Sequence, residues 1–190
     1  MTLHPAGLMI RKTTVVLLVV GLCGCVAHAP IVSRLDSSGR TVVTLDDAIV
    51  LARPIPQLAS SVRDYVYIGP VELNNMGQRD HYLWIGLAST IDRKFAKVSP
   101  ASIDTLVLFI DGQPMTLSLR EWHTELDNPP YETAAPLYAT YAARATLDQI
   151  RRIADATLVD VHMMSGTGRS GHYRMWQGEW SSWSLLGRAD

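Results

Sequence analysis

Apolar residues along this chain mostly recur at a period of two. Residues 64–73 and 82–88 carry aromatic and β-branched side chains at nearly every position, and Asn74-Asn75-Met76-Gly77 lies between them. That pattern predicts two strands joined by a tight turn. In both strands each alternating face is apolar: Val66 and Ile68 against Tyr65 and Tyr67, Leu83 and Ile85 against Tyr82 and Trp84. Strands apolar on both sides are buried on both, so a helix or a partner is expected over the outer face. Residues 105–110 and 115–119 flank Asp111-Gly112, a strong hairpin signal because such turns need positive φ. Residues 41–45 and 48–53 are short β-rich runs separated by Asp46-Asp47. They read as a further hairpin, with Asp46 as the cap of a short helix the alternative.

The second half continues in the same style. Residues 137–144 and 157–163 read as strands, and 172–176 completes a hairpin with the latter. Only residues 146–156 carry a helical stripe, formed by Leu147, Ile150, Ile153 and Ala154. Thr146 and Gln149 fit a capping box, Asp148 suits the first turn, and Arg151 and Arg152 follow later. Trp180, Trp183, Leu185 and Leu186 are expected to fold back onto the core. Many short strands with one late helix predict a mainly β, antiparallel, β-sandwich-like domain with a single α-helix at about 146–156.

The first 25 residues follow another logic. Arg11 and Lys12 precede ten largely apolar residues, 13–22, which end in Leu22-Cys23-Gly24-Cys25. Charge, apolar run, small residue and cut site is the order of a secretory signal. The run is too short to span a bilayer as a helix, which takes about 20 residues. Met9 is the expected start, or the first eight residues are dispensable, because Met9-Ile10-Arg11-Lys12 opens a signal of ordinary length. Leu22, Gly24 and Cys25 resemble the lipobox of bacterial lipoproteins, with Leu at −3 and a small residue at −1 before an acylated Cys. Cys23 departs from the usual small residue at −2, and as an acceptor it would have the bulky Leu22 at −1. The resemblance covers residues 9–25 only. It implies cleavage before Cys25, lipid on its sulfur and on the new amino group, and membrane attachment through that lipid. Val26, where Asp tends to mean retention in the inner membrane, implies the outer membrane, facing the periplasm. More than one acyl chain is needed for stable anchoring.

The expected organisation is therefore a signal peptide at 1–24, lipidated Cys25 and a tether at 25–40, and one β-rich domain at 41–190. Processing removes two basic and no acidic residues, which moves the formal charge from −1 to −3. Such a balance offers no electrostatic footprint for nucleic acid. Cys23 and Cys25 are the two cysteines. A mature domain starting at Cys25 has no internal disulfide, thiol nucleophile or Cys–metal site.

Four groups of residues carry chemical possibilities. Gly166-Thr167-Gly168-Arg169-Ser170-Gly171 matches G-x-G-x-x-G, but a dinucleotide fingerprint needs a strand before it and a helix after it. A strand is expected to follow, so the loop reads as a hairpin connection and no cofactor is expected. Glu121, His123 and Glu125 alternate and on a strand would share one face, as three zinc ligands do; the plainer reading is a polar face, and no metal is expected. Asp160 and His162 share a strand face near Ser165 and Ser170. A triad is defined by geometry, however, and the nucleophile-elbow motif is absent. Tyr65, Tyr67, Tyr82, Trp84, Trp176, Trp180 and Trp183 are mostly expected in the core. One or two together at the surface would make a ligand or partner patch. The resulting expectation is a non-enzymatic envelope lipoprotein with a structural or binding role and a possible envelope protein partner. A tethered periplasmic hydrolase is the alternative.

Overall fold

The computed structural model of the chain describes residues 31–91, 103–122, 129–165 and 170–188. Within them the protein is mainly antiparallel β, a single sheet curled almost into a barrel. The strands are β1 (Ile31–Leu35), β2 (Thr41–Leu45), β3 (Ile49–Pro54), β4 (Arg63–Asn75), β5 (Gln78–Ser89), β6 (Ile103–Ile110), β7 (Gln113–Ser118), β8 (Arg120–Glu121), β9 (Leu137–Arg144), β10 (Val159–Ser165) and β11 (Ser170–Gln177). One α-helix, α1 (Leu147–Ala154), and a 3₁₀ helix, Trp180–Arg188, complete the fold. The mainly β, sandwich-like domain with a single late α-helix is thus what forms.

Two places join the strands into one curled sheet. β11 pairs with β10 on one side and β3 on the other. Around Leu119 the chain changes partners: β7 pairs with β6, and two residues later β8 pairs with β9. Strands that change partners at a bend close sandwiches into barrels. The inner face carries Leu51, Val66, Ile68, Leu83, Ile85, Leu106, Leu108 and Val161, all at most 1 % exposed. Ile150 and Ile153 of α1 and Trp183 of the 3₁₀ helix are fully buried in the same core.

Local chemistry explains the best-formed elements. Both tight hairpins use two residues with positive φ, Met76-Gly77 (50° and 96°) and Asp111-Gly112 (48° and 81°). These left-handed pairs match the twist of the flanking strands. The Asp111 carboxylate also accepts from the Thr157 and Leu158 N–H groups at 3.1 and 2.9 Å, tying this hairpin to the start of β10. The capping box of α1 is complete: Thr146 Oγ1 accepts from Gln149 N, and Gln149 Oε1 accepts from Thr146 N.

Three expectations need correction. Residues 41–45 and 48–53 do form strands, but not a hairpin. Both pair antiparallel with β4, whose residues 71–74 face β2 and 63–68 face β3. They are one long strand whose register slips by two residues at Asp46-Asp47. Neither Asp adopts the positive φ that a reversal would need. Second, the stretch 25–40 is not tether throughout, because Ile31–Leu35 pairs with β2 through all five residues. A turn stapled by Asp36 connects them. Its Oδ1 accepts from the Ser38 and Arg40 N–H groups and from Ser38 Oγ, and its Oδ2 accepts from Arg40 Nε.

The third correction concerns the outer face of β4 and β5. Among the described residues, the segment that leads into β9 covers it. Tyr131, 3 % exposed, lies over Gly69, donates its hydroxyl to the Pro70 carbonyl at 2.5 Å and stands 5.6 Å from the Trp84 ring. Gly69 and Gly86 lack the Cβ that would strike Tyr131 and Trp84. Two glycines at the same sheet face make room for two large rings.

Candidate functional site

Most of the aromatic surplus is core. Trp84 and Trp183 are fully buried, and Tyr67 and Trp180 nearly so. Trp176 is the exception, at 60 % exposure. It sits near the end of β11, in phase with the exposed His172 and Arg174 and beside the register shift against β3 between Met175 and Gln177. Tyr65 of β4 meets it edge-on at 6.4 Å, and the Arg63 guanidinium lies over the indole at 5.5 Å. Period two gives Trp176 a face but not its neighbours on other strands, so sequence alone could place it only among the candidates.

These rings wall a cleft of about 330 Å³. Val50 and Tyr67 contribute to its lining, Asp47 supplies a carboxylate from the β2–β3 jog, and Glu132, Ala134 and Ala135 line it from the covering segment. Tyr131 therefore anchors one wall of the cleft. Burial pushes its phenol pKa well above the ordinary tyrosine range, although the hydrogen bond from Leu45 N and the charge of Arg34 act the other way. The hydroxyl stays protonated and keeps its donor role. Exposed aromatic faces beside two carboxylates and a guanidinium suit recognition of an amphipathic ligand or protein side chains.

The other sequence candidates fare differently. Asp160 and His162 do share the outer face of β10, and His172, directly opposite on β11, joins them. The two imidazoles stack at 4.7 Å, His172 Nε2 is 3.4 Å from Asp160 Oδ1, and Phe109 meets His162 edge-on at 5.1 Å. Ser165 is buried, and the alternation of β10 sends it to the opposite face from His162. A Ser165–His162–Asp160 relay is thereby excluded, because a nucleophile must lie within hydrogen-bond reach of its base. Glu121 is exposed on β8, and no described contact joins it to Asp160 or His162. His123 and Glu125 lie outside the described residues, as do Gly166, Thr167, Gly168 and Arg169 and the cysteines Cys23 and Cys25. The segment after the glycine loop is a strand, β11, as expected. Among the described residues no three His, Cys, Asp or Glu side chains group as metal ligands do.

Two buried carboxylates were not legible from sequence. Asp64, 2 % exposed, pairs with Arg53 at 3.0 Å, and that guanidinium lies 5.1 Å from the centre of the Tyr173 ring. Glu72, 5 % exposed, faces His81 at 3.1 Å and Arg79 at 3.6 Å. Each partner comes from the neighbouring strand, at positions fixed by register. These are ion pairs that satisfy buried charges. Comparison with protein families, with curated proteins and with solved structures finds no match to the chain.

Proposed function

We propose that the chain is a lipid-anchored protein of the bacterial envelope, held by Cys25 and facing the periplasm, with the outer membrane favoured. Its β domain acts by binding through the Tyr65–Trp176 cleft and performs no catalysis of its own. The lipobox-like Leu22-Cys23-Gly24-Cys25 supports the address. The observation that carries the binding role is Trp176, a large ring left 60 % exposed beside Tyr65 in a fold that buries most of its aromatics. Aromatics of this kind dominate the energetics of protein interfaces.

The short distance between anchor and domain adds to the reading. Six residues lead from Cys25 to Ile31, a span of at most about 20 Å when extended. Ile31, Val32 and Leu35 of β1 are exposed apolar groups at the point where the chain leaves the lipid. A domain on so short a lead works at the membrane surface and meets partners there.

Two measurements test the proposal. Cys25→Ser should abolish palmitate labelling and move the protein out of the membrane fraction; unchanged labelling refutes the anchor. Crosslinked pull-down from envelopes should recover a specific partner with the native protein and lose it with Trp176→Ala, while the thermal midpoint stays within about 2 °C, as expected for an exposed position. An identical set of partners from both refutes the cleft.

A further inference from the structure

A second cleft, of about 730 Å³, lies where the barrel closes. Its walls are Thr116 and Ser118 of β7, Arg120 and Glu121 of β8, Ala142 and Arg144 of β9, with Arg40, Leu73, Tyr82 and Trp122 around them. Tyr82 and Trp122 meet edge-on at 6.0 Å, and the Trp122 indole N–H is buried without a hydrogen-bond partner among the described residues.

Among the described residues, the backbone at this seam has a partner strand on one side only. The two-residue turn at Asp111-Gly112 makes Ile110 and Gln113 the closing hydrogen-bonded pair of β6 and β7. Bonded positions in an antiparallel pair alternate, so residues 113, 115 and 117 of β7 bond to β6. The N–H and C=O groups of Thr116 and Ser118 then point away from β6 and toward the cleft. An exposed sheet edge of this kind is a template for another strand.

Arg120 selects the strand that fits. Arg40, Arg120 and Arg144 line the cleft with Glu121, and two of the three guanidinium groups already carry carboxylate partners. Asp36 holds Arg40 and Asp80 holds Arg144, which fixes both at the rim, while Arg120 makes no ion pair among the described residues. Arginine presents a planar fork suited to carboxylates.

We propose that this cleft binds an acidic peptide in extended form, added as a short strand along the free edge of β7. Thr116 and Ser118 supply main-chain hydrogen bonds, Arg120 takes a carboxylate, and Tyr82 and Trp122 form the apolar floor. Main-chain pairing gives such sites their affinity and the flanking side chains give them selectivity. The site shares no residue with the Tyr65–Trp176 cleft and stands or falls separately from it.

Titration calorimetry on the full chain in detergent micelles tests this with three probes: a blocked hexapeptide alternating Glu and Thr, its Lys-and-Thr counterpart, and free glutamate. The acidic hexapeptide should bind, more weakly as salt rises, and the basic one should not. Free glutamate should bind roughly a hundredfold more weakly or not at all, because it brings no strand. Arg120→Glu, a change at an exposed position, should weaken the acidic hexapeptide roughly tenfold or more. Thr116→Pro removes an edge N–H that β6 does not use and should weaken it as well. Trp176→Ala should leave its affinity unchanged. Equal binding of the two hexapeptides, no binding of the acidic one, or full affinity in Arg120→Glu overturns the proposal. Glutamate binding as tightly as the hexapeptide, or full affinity in a folded Thr116→Pro protein, overturns strand addition.

Discussion

Tyr131 joins the cover of the sheet to the wall of the aromatic cleft, and its worth can be worked out. Its hydroxyl donates to the buried Pro70 carbonyl at 2.5 Å and accepts from Leu45 N at a weak 3.4 Å. Tyr131→Phe keeps the ring and orphans the carbonyl, at about 2 kcal/mol for one buried unsatisfied group. Tyr131→Ala also loses the ring packing on Trp84 and should cost about 3–5 kcal/mol. Gly69→Ala places a methyl against the same ring, where Cε2 lies only 2.5 Å from the new Cβ. Overpacking of that kind costs about 1–3 kcal/mol. Without the Tyr131 ring the clash vanishes, and the loss of backbone freedom in the unfolded chain should turn Gly69→Ala neutral or stabilising by about 0.4–1 kcal/mol. The cycle of Gly69→Ala and Tyr131→Ala should therefore show a coupling of about 1.5–3 kcal/mol. Urea denaturation with an unchanged slope measures all four corners. Equal destabilisation by Gly69→Ala in both backgrounds would refute the packing of Tyr131 on Gly69, and with it this account of the cleft wall.

Two further outcomes follow from the same fold. Ile150 is fully buried at the centre of the α1 stripe, so Ile150→Ala should cost about 2–5 kcal/mol, and an unchanged denaturation midpoint would place the stripe outside the core. Burial of the Asp36 carboxyl opposes ionisation, but the Ser38 and Arg40 hydrogen bonds and the Arg40 charge outweigh it and hold its pKa at about 2, against 3.8 unfolded. A pKa lowered by folding means a contribution complete above about pH 4 and lost as pH falls toward about 2. The Ser38 and Arg40 amide resonances should report that loss in an NMR titration; no change between pH 5 and 2 would refute it.

What the sequence made legible was whatever rests on local chemistry. The turns at Met76-Gly77 and Asp111-Gly112 need positive φ, and the chain announces it with Gly. The capping box at Thr146 and Gln149 is spelled out in four residues. What stayed hidden depends on which strand meets which. The Asp46-Asp47 jog looked like a reversal because the run of apolar residues breaks there. Only β4, thirteen residues long, shows that both halves pair with a single partner. Glycines inside strands do carry a readable signal of close approach. Gly69 and Gly86 make room for large rings on that face, but no local signal names Tyr131 as the source, since more than sixty positions of chain separate it from the carbonyl it caps.

The same division runs through the candidate sites. Asp160 and His162 alternate on a strand, and period two places them together with certainty once β10 exists. That period also forces Ser165 to the other face, because three residues is an odd step. His172 enters only through the register of β10 against β11. The aromatic cleft needs more still: the two-residue jog that presents Asp47, the register shift beside Trp176, and Tyr131 holding Glu132 and Ala135 in place. Each is a departure from regular pairing, and departures come from non-local register rather than from composition. In this fold the irregular positions are thus where the groups lining the aromatic cleft collect, while the regular strands between them carry the core. That is the physical reason a strand-by-strand reading recovers the architecture and passes over the sites.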